Sequence, residues 1–150
     1  MNLKARITED MKSAMRSGEK RQLGVIRLAL AAIKQIEVDD RIENLDDTQV
    51  ITVLDKMIKQ RRESISQYQK AGRDDLQEQE EYEITILQPY LPEALSESEI
   101  NAIIDQAITE TGASSIKEMG KVMGIIKPKM QGRADMGKVS GQIKERLSGS

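Results

Sequence analysis

Ile86-Leu87-Gln88-Pro89-Tyr90-Leu91-Pro92-Glu93-Ala94-Leu95-Ser96-Glu97-Ser98-Glu99-Ile100 is the stretch that decides how this chain folds. Pro89 and Pro92 each remove an amide donor and restrict the residue before them, so no helix runs through the pair. Ser96 and Glu99 then spell a capping box, in which each side chain satisfies a free amide of a helix's first turn. One helix ends near Leu87 and another starts at Ser96. The segment between them is the predicted boundary between two lobes, residues 1–92 and 93–150.

On both sides of it apolar residues recur at spacings of three and four, and no stretch alternates as a strand would. Four helices are expected upstream. The first carries Leu3, Ile7, Met11 and Met15 and stops at Gly18; the second carries Leu23, Ile26, Leu30 and Ile33 and fades near Val38. A polar loop, Asp39 to Asp46, precedes a third, capped by Asp46 or Asp47 and carrying Val50, Leu54, Met57, Ile58, Ile65 and Tyr68 to Gly72. Asp74 or Asp75 caps the fourth, which turns Leu76, Tyr82, Ile86 and Leu87 inward.

Three more are expected downstream. Ile100, Ile103, Ile104, Ala107 and Ile108 line the fifth, which Gly112 ends. Ser115 with Glu118 reads as a second capping box, opening a sixth that buries Ile116, Met119, Val122, Met123 and Ile126 before Pro128 and Gly132 close it. Asp135 caps the seventh, with Met136, Val139, Ile143 and Leu147 on one face and a frayed Ser148-Gly149-Ser150 behind it. The fold class is all-α: an N-terminal four-helix lobe followed by a C-terminal three-helix lobe.

Composition narrows the chemistry. The 150 residues contain no His and no Cys, which excludes a Ser-His pair, a Cys nucleophile, disulfides and an ordinary zinc or haem site. No catalytic residue, metal site or cofactor is therefore assigned. Without Phe or Trp the core is built from Leu, Ile, Val, Met and Ala. No apolar run approaches the roughly 20 residues that cross a bilayer. The opening segment reads as an amphipathic charged helix rather than a signal peptide, and the expected location is cytoplasmic.

Charge is segregated. Residues 1–73 carry +4, residues 74–115 carry −11 with no Lys or Arg, and residues 116–150 carry +5. The last block interleaves five glycines, Gly120, Gly124, Gly132, Gly137 and Gly141, with the cations Lys121, Lys127, Lys129, Arg133 and Lys138. A glycine inside a helix costs about 0.5–1 kcal/mol against alanine, so each asks for a reason. Gly120 with Gly124, and Gly137 with Gly141, form notches at a spacing of four. Such notches either let helices cross closely or let a sugar–phosphate strand touch the main chain, and the two uses are compatible. The loop predicted from Lys127 to Arg133 places three cations just before the Asp135 cap, beside the notches. With no aromatic neighbours, RNA shape and backbone fit this pattern better than base stacking. Lys56, Lys59, Arg62, Lys70 and Arg73 recur partly on one face, with Arg61 beside them, a row that reads as solvated surface or as an extension of the basic surface, and Glu78 to Glu83 read as an acidic solvated face that repels nucleic acid.

These segments carry a family likeness. Over nearly its whole length the chain resembles the YqeY-like proteins, in Arg27-Leu28-Ala29-Leu30-Ala31-Ala32-Ile33-Lys34, Lys59-Gln60-Arg61-Arg62-Glu63-Ser64-Ile65, Glu83 through Tyr90-Leu91-Pro92, and Gly120-Lys121-Val122-Met123 through Gly132-Arg133-Ala134-Asp135. The resemblance implies a helical lobe joined to a three-helix lobe similar to the C-terminal tail of GatB, the B subunit of the glutamine-dependent aspartyl/glutamyl-tRNA amidotransferase. There the tail contacts the body of the tRNA, away from the chemistry. The carry-over falls on Gly120, Val122, Met123, Gly132 and the adjoining cations. The amidotransferase's kinase-like cradle and amidase partner have no counterpart among these residues. The expected function is thus non-catalytic tRNA binding. An adaptor docking on a tRNA amidotransferase or an aminoacyl-tRNA enzyme is the alternative, and an accessory carbon–nitrogen ligase with glutamine as amido donor a further one.

Overall fold

Glycine and proline punctuation divides the chain into seven α-helices among the described residues, 1–148 of a computed structural model. They are α1 (Leu3–Ser17), α2 (Lys20–Asp39), α3 (Asp47–Ala71), α4 (Asp74–Leu87), α5 (Glu97–Thr111), α6 (Met119–Met130) and α7 (Met136–Ser148). Single 3₁₀ turns, Gln88–Tyr90 and Ile116–Glu118, follow α4 and precede α6. The all-α expectation holds among these residues. Gly149 and Ser150 of the expected frayed tail lie outside them, and Ser148 is still helical.

Local chemistry explains most boundaries. The Asp46 side chain accepts from the Gln49 amide at 2.8 Å while the Gln49 side chain accepts from the Asp46 amide at 2.9 Å. The Ser96–Glu99 box closes in the same way, at 3.1 and 3.2 Å. The Asp135 carboxylate accepts from the Gly137 amide at 3.0 Å at the start of α7. Three expected boundaries differ. Arg73 stands at the N-cap of α4 without a side-chain bond, so Asp74 and Asp75 lie in the first turn and act on the helix dipole instead. Ser115 makes no capping bond, because the 3₁₀ turn occupies the place of the first helical turn and leaves Ile116 exposed. Pro128 does not close α6, which runs on to Met130. The bond it forfeits belongs to the carbonyl of Gly124, on the exposed side of the helix.

The chain divides into two compact units, Met1–Leu91 and Pro92–Ser150. In the first, α1 to α4 bury Ile7, Val25, Ile26, Ile33, Val50, Leu54, Ile58 and Leu87. Met15 is 53% exposed and Leu76 36%, against the expectation that both face inward. The acidic run is not wholly solvated either: Glu83 is buried against Arg61, Oε2 to Nε at 3.6 Å, which removes both from the surfaces predicted for them. Tyr90 donates its hydroxyl to Asp10 beneath the Arg6 guanidinium, tying the end of this unit back to α1. The second unit buries Ile104, Val122, Ile126, Met130, Val139 and Ile143, all from α5, α6 and α7.

Candidate nucleic-acid interface

α6 buries Val122, Ile126 and Met130, so the residues on its opposite side are fixed by helical geometry. Gly120, Gly124 and Lys127 lie there in one line, and all three are exposed. A Cβ built on Gly120 or Gly124 would meet nothing within 4 Å, and the same holds at Gly141. These notches are not occupied by a crossing helix within their own unit. Of the two uses that glycine spacing left open, close packing is not what they serve there.

The other candidates divide. Gly132 is buried at φ +78°, in the left-handed turn that ends α6, and so is a folding residue. Arg133 Nε donates to the Glu93 carbonyl at 3.0 Å, and the Leu95 amide donates to the Arg133 carbonyl at 2.8 Å, so this cation holds the segment that leads into α5. A Cβ on Gly137 would stand 3.3 Å from the capping oxygen of Asp135. Lys138 pairs with Glu97 of α5 at 3.1 Å, holding that carboxyl below its usual range. Lys121, Lys127 and Lys129 are exposed and make no ion pair among the described residues. Lys129 stands about 200° round the helix from Lys127, so the predicted cluster is split between two sides of α6 rather than gathered in one loop.

An internal repeat in the sequence accompanies this division. Met119-Gly-Lys-Val-Met-Gly-Ile-Ile-Lys-Pro-Lys-Met130 recurs seventeen residues later as Met136-Gly-Lys-Val-Ser-Gly-Gln-Ile-Lys-Glu-Arg-Leu147. The buried triad Val122, Ile126 and Met130 corresponds to Val139, Ile143 and Leu147, and the outward line Gly120, Gly124 and Lys127 to Gly137, Gly141 and Lys144. What differs is the cations' partners. In α7, Lys138 is taken by Glu97 and Arg146 by Asp105 and Asn101, all on α5. Their counterparts in α6, Lys121 and Lys129, make no ion pair among the described residues. Lys144, also exposed and without an ion pair among the described residues, is a candidate that the sequence reading missed, and the repeat is the signal that finds it.

Among the described residues no group of three or more His, Cys, Asp or Glu is placed to hold a metal ion, and no helix is long and apolar enough to cross a membrane.

Known proteins resemble this chain over most of its length. A family model described as Yqey-like protein matches residues 4–147. Three similar curated proteins are each named "Altered inheritance of mitochondria protein 41, mitochondrial". The one from Lachancea thermotolerans is 35% identical over 113 residues, covering 74% of this chain and 60% of the relative. That from Kluyveromyces lactis is 37% identical over 109 residues, 71% of this chain and 58% of the relative. That from Pyrenophora tritici-repentis is 33% identical over 132 residues, 86% and 71% respectively. The chain thus spans about three fifths of the length of the first two. Their names overturn the cytoplasmic expectation, since these relatives are mitochondrial proteins. That expectation rested on missing cysteines, which are equally compatible with other reducing compartments.

Proposed function

We propose, for a chain that belongs to the Yqey-like protein family, that it binds tRNA without catalysing a reaction, and that residues 93–150 are the lobe that grips the RNA. The observation that carries this reading is the outward side of α6. Bare main chain at Gly120 and Gly124 lies beside Lys127, with Lys121 on one flank and Lys129 round on the other side of the helix, and none of the three lysines makes an ion pair among the described residues. Uncompensated ammonium groups around accessible backbone suit a phosphate strand, whose attraction comes from counterion release and is insensitive to sequence. The absence of aromatic side chains from this face favours backbone and shape over stacked bases. The α7 repeat adds Gly141 and Lys144 as a second, less charged contact.

The test is filter binding of tRNA, double-stranded RNA and DNA to the full chain, with mitochondrial tRNA included because the curated relatives are mitochondrial. Changing Lys121, Lys127 and Lys129 together to Ala should weaken tRNA binding at least tenfold and leave the circular dichroism unchanged. The salt dependence should flatten by about 0.7–0.9 in log–log slope per cation removed. Affinity that ignores both the triple change and the salt overturns the reading, and leaves the protein-docking adaptor in its place.

A further inference from the structure

α2 has an exposed face that the RNA reading does not use. Gly24, Leu28, Ala31, Gln35 and Val38 are all exposed there, Leu28 at 49% and Val38 at 59%. They lie on the side away from the buried Ile26 and Ile33. Their spacings of four, three, four and three are those of a heptad seam. A Cβ built on Gly24 meets nothing within 4 Å, so no neighbour in its own unit fills the start of the seam.

We infer that this face is the contact of a parallel homodimer, with α2 of a second copy seated along it. Charge along the two edges selects that occupant. Arg27 and Lys34 precede the seam residues Leu28 and Gln35, while Ala32 and Asp39 follow Ala31 and Val38. In a parallel pair, an edge residue meets the residue five positions further on in the other copy. Lys34 then faces Asp39 of the second copy, and the reverse contact repeats it. Arg27 meets Ala32 and encounters no like charge. Antiparallel pairing would instead set Arg27 against Lys34 along one edge, concentrating four cations. Neither Arg27 nor Lys34 has an ion pair in its own chain among the described residues.

The seam is short, about 21 Å for fourteen steps of a helix. It has small residues at two of five places, so it buries less than the roughly 1,000 Å² of a durable complex. A contact of that size belongs to the weak, transient class of interfaces.

Sedimentation equilibrium of the full chain over about 5–500 μM tests this, and it is independent of RNA. The weight-average mass should climb from 16.8 kDa towards twice that value. Gly24→Leu places a leucine in the seam where the protomer has open space, and should tighten association at least tenfold. Leu28→Glu should abolish it. Lys34→Asp should weaken it several-fold, and adding Asp39→Lys should restore it. Circular dichroism checks that each variant stays helical. A monomer throughout for both the parent chain and Gly24→Leu overturns the inference, as does self-association that survives Leu28→Glu. Failure of the double reversal to restore association overturns the parallel register.

Discussion

Arg133 reaches back with Nε to the main-chain carbonyl of Glu93 at 3.0 Å, forty residues earlier in the sequence. The Leu95 amide returns a bond to the Arg133 carbonyl at 2.8 Å, so the turn after α6 is laced to the strand of chain that enters α5. A cation committed in this way differs from Lys127, which extends freely from the same helix end. Arg133→Ala is expected to lower the stability of the second unit by about 0.5–1.5 kcal/mol, the worth of one such bond. Lys127→Ala should cost almost nothing, because its ammonium makes no ion pair or hydrogen bond among the described residues. Urea unfolding followed by circular dichroism compares the two. Equal losses would show that the Glu93 contact does not hold in solution.

The glycines give opposite signs. Alanine at Gly124 enters open space and gains helix propensity, so Gly124→Ala should raise stability by about 0.5–1 kcal/mol. Gly132→Ala forces a Cβ into a buried left-handed turn at φ +78° and should cost about 1–2 kcal/mol. The first variant also probes function. If bare main chain at α6 touches the phosphate strand, Gly124→Ala melts higher than the parent yet binds tRNA more weakly. A variant that gains stability and loses no affinity would remove Gly124 from the interface.

The contrast among these residues shows what the sequence made legible. Caps closed by neighbours, such as Asp46 with Gln49 and Ser96 with Glu99, are local chemistry and read directly. Ser115 with Glu118 has the same spelling but fails, because a 3₁₀ turn there depends on how Ile116 sits outside the core. Met15 and Leu76 hold good helical spacing, yet which side of a helix is covered is decided by distant segments. The same limit applied at the site. Glycine spacing is visible in the letters, but the loss of Lys138 to Glu97 requires knowing that α5 lies beside α7. The repeat of 119–130 in 136–147 was available from sequence alone and would have added Lys144.

Glu37 supplies a pH dependence. Its Oε2 accepts from the Lys4 ammonium at 2.7 Å and from the Leu45 amide at 3.0 Å, clamping the 40–46 loop to α1 and α2. The Lys4 hydrogen bond first, and the Leu45 amide second, hold this carboxyl below its ordinary value of 4.5. A group whose folded pKa is depressed stabilises the protein above its unfolded pKa, and that contribution is lost as pH falls through the folded value. Glu37→Gln should therefore melt lower than the parent at pH 7, and the gap should narrow as pH drops below 4.5. Thermal melts of both proteins between pH 7 and pH 3 check it. A gap that stays constant over that range would mean that the clamp does not depend on charge.

Arg61 and Glu83 make the last comparison, between a pair that stabilises and a pair that is merely tolerated. Their side chains are 14% and 10% exposed, their closest approach is 3.6 Å, and Arg61 Nε has no hydrogen bond. Arg61 also donates through Nη1 to the Met57 carbonyl at 3.1 Å, so its head is tethered even where the pairing is loose. Removing one partner strands the other between α3 and α4, and Glu83→Ala should cost about 2–3 kcal/mol, below the range for fully buried pairs because the two side chains stay 14% and 10% exposed. Replacing both, as Arg61→Met with Glu83→Leu, removes the desolvation cost together with the imperfect attraction. The double variant should lose less than Glu83→Ala, and can exceed the parent if the new side chains fill the space. A double-mutant cycle by chemical denaturation decides. Losses that simply add would show that the two groups do not sense each other, and that the α3–α4 contact rests on its apolar neighbours alone.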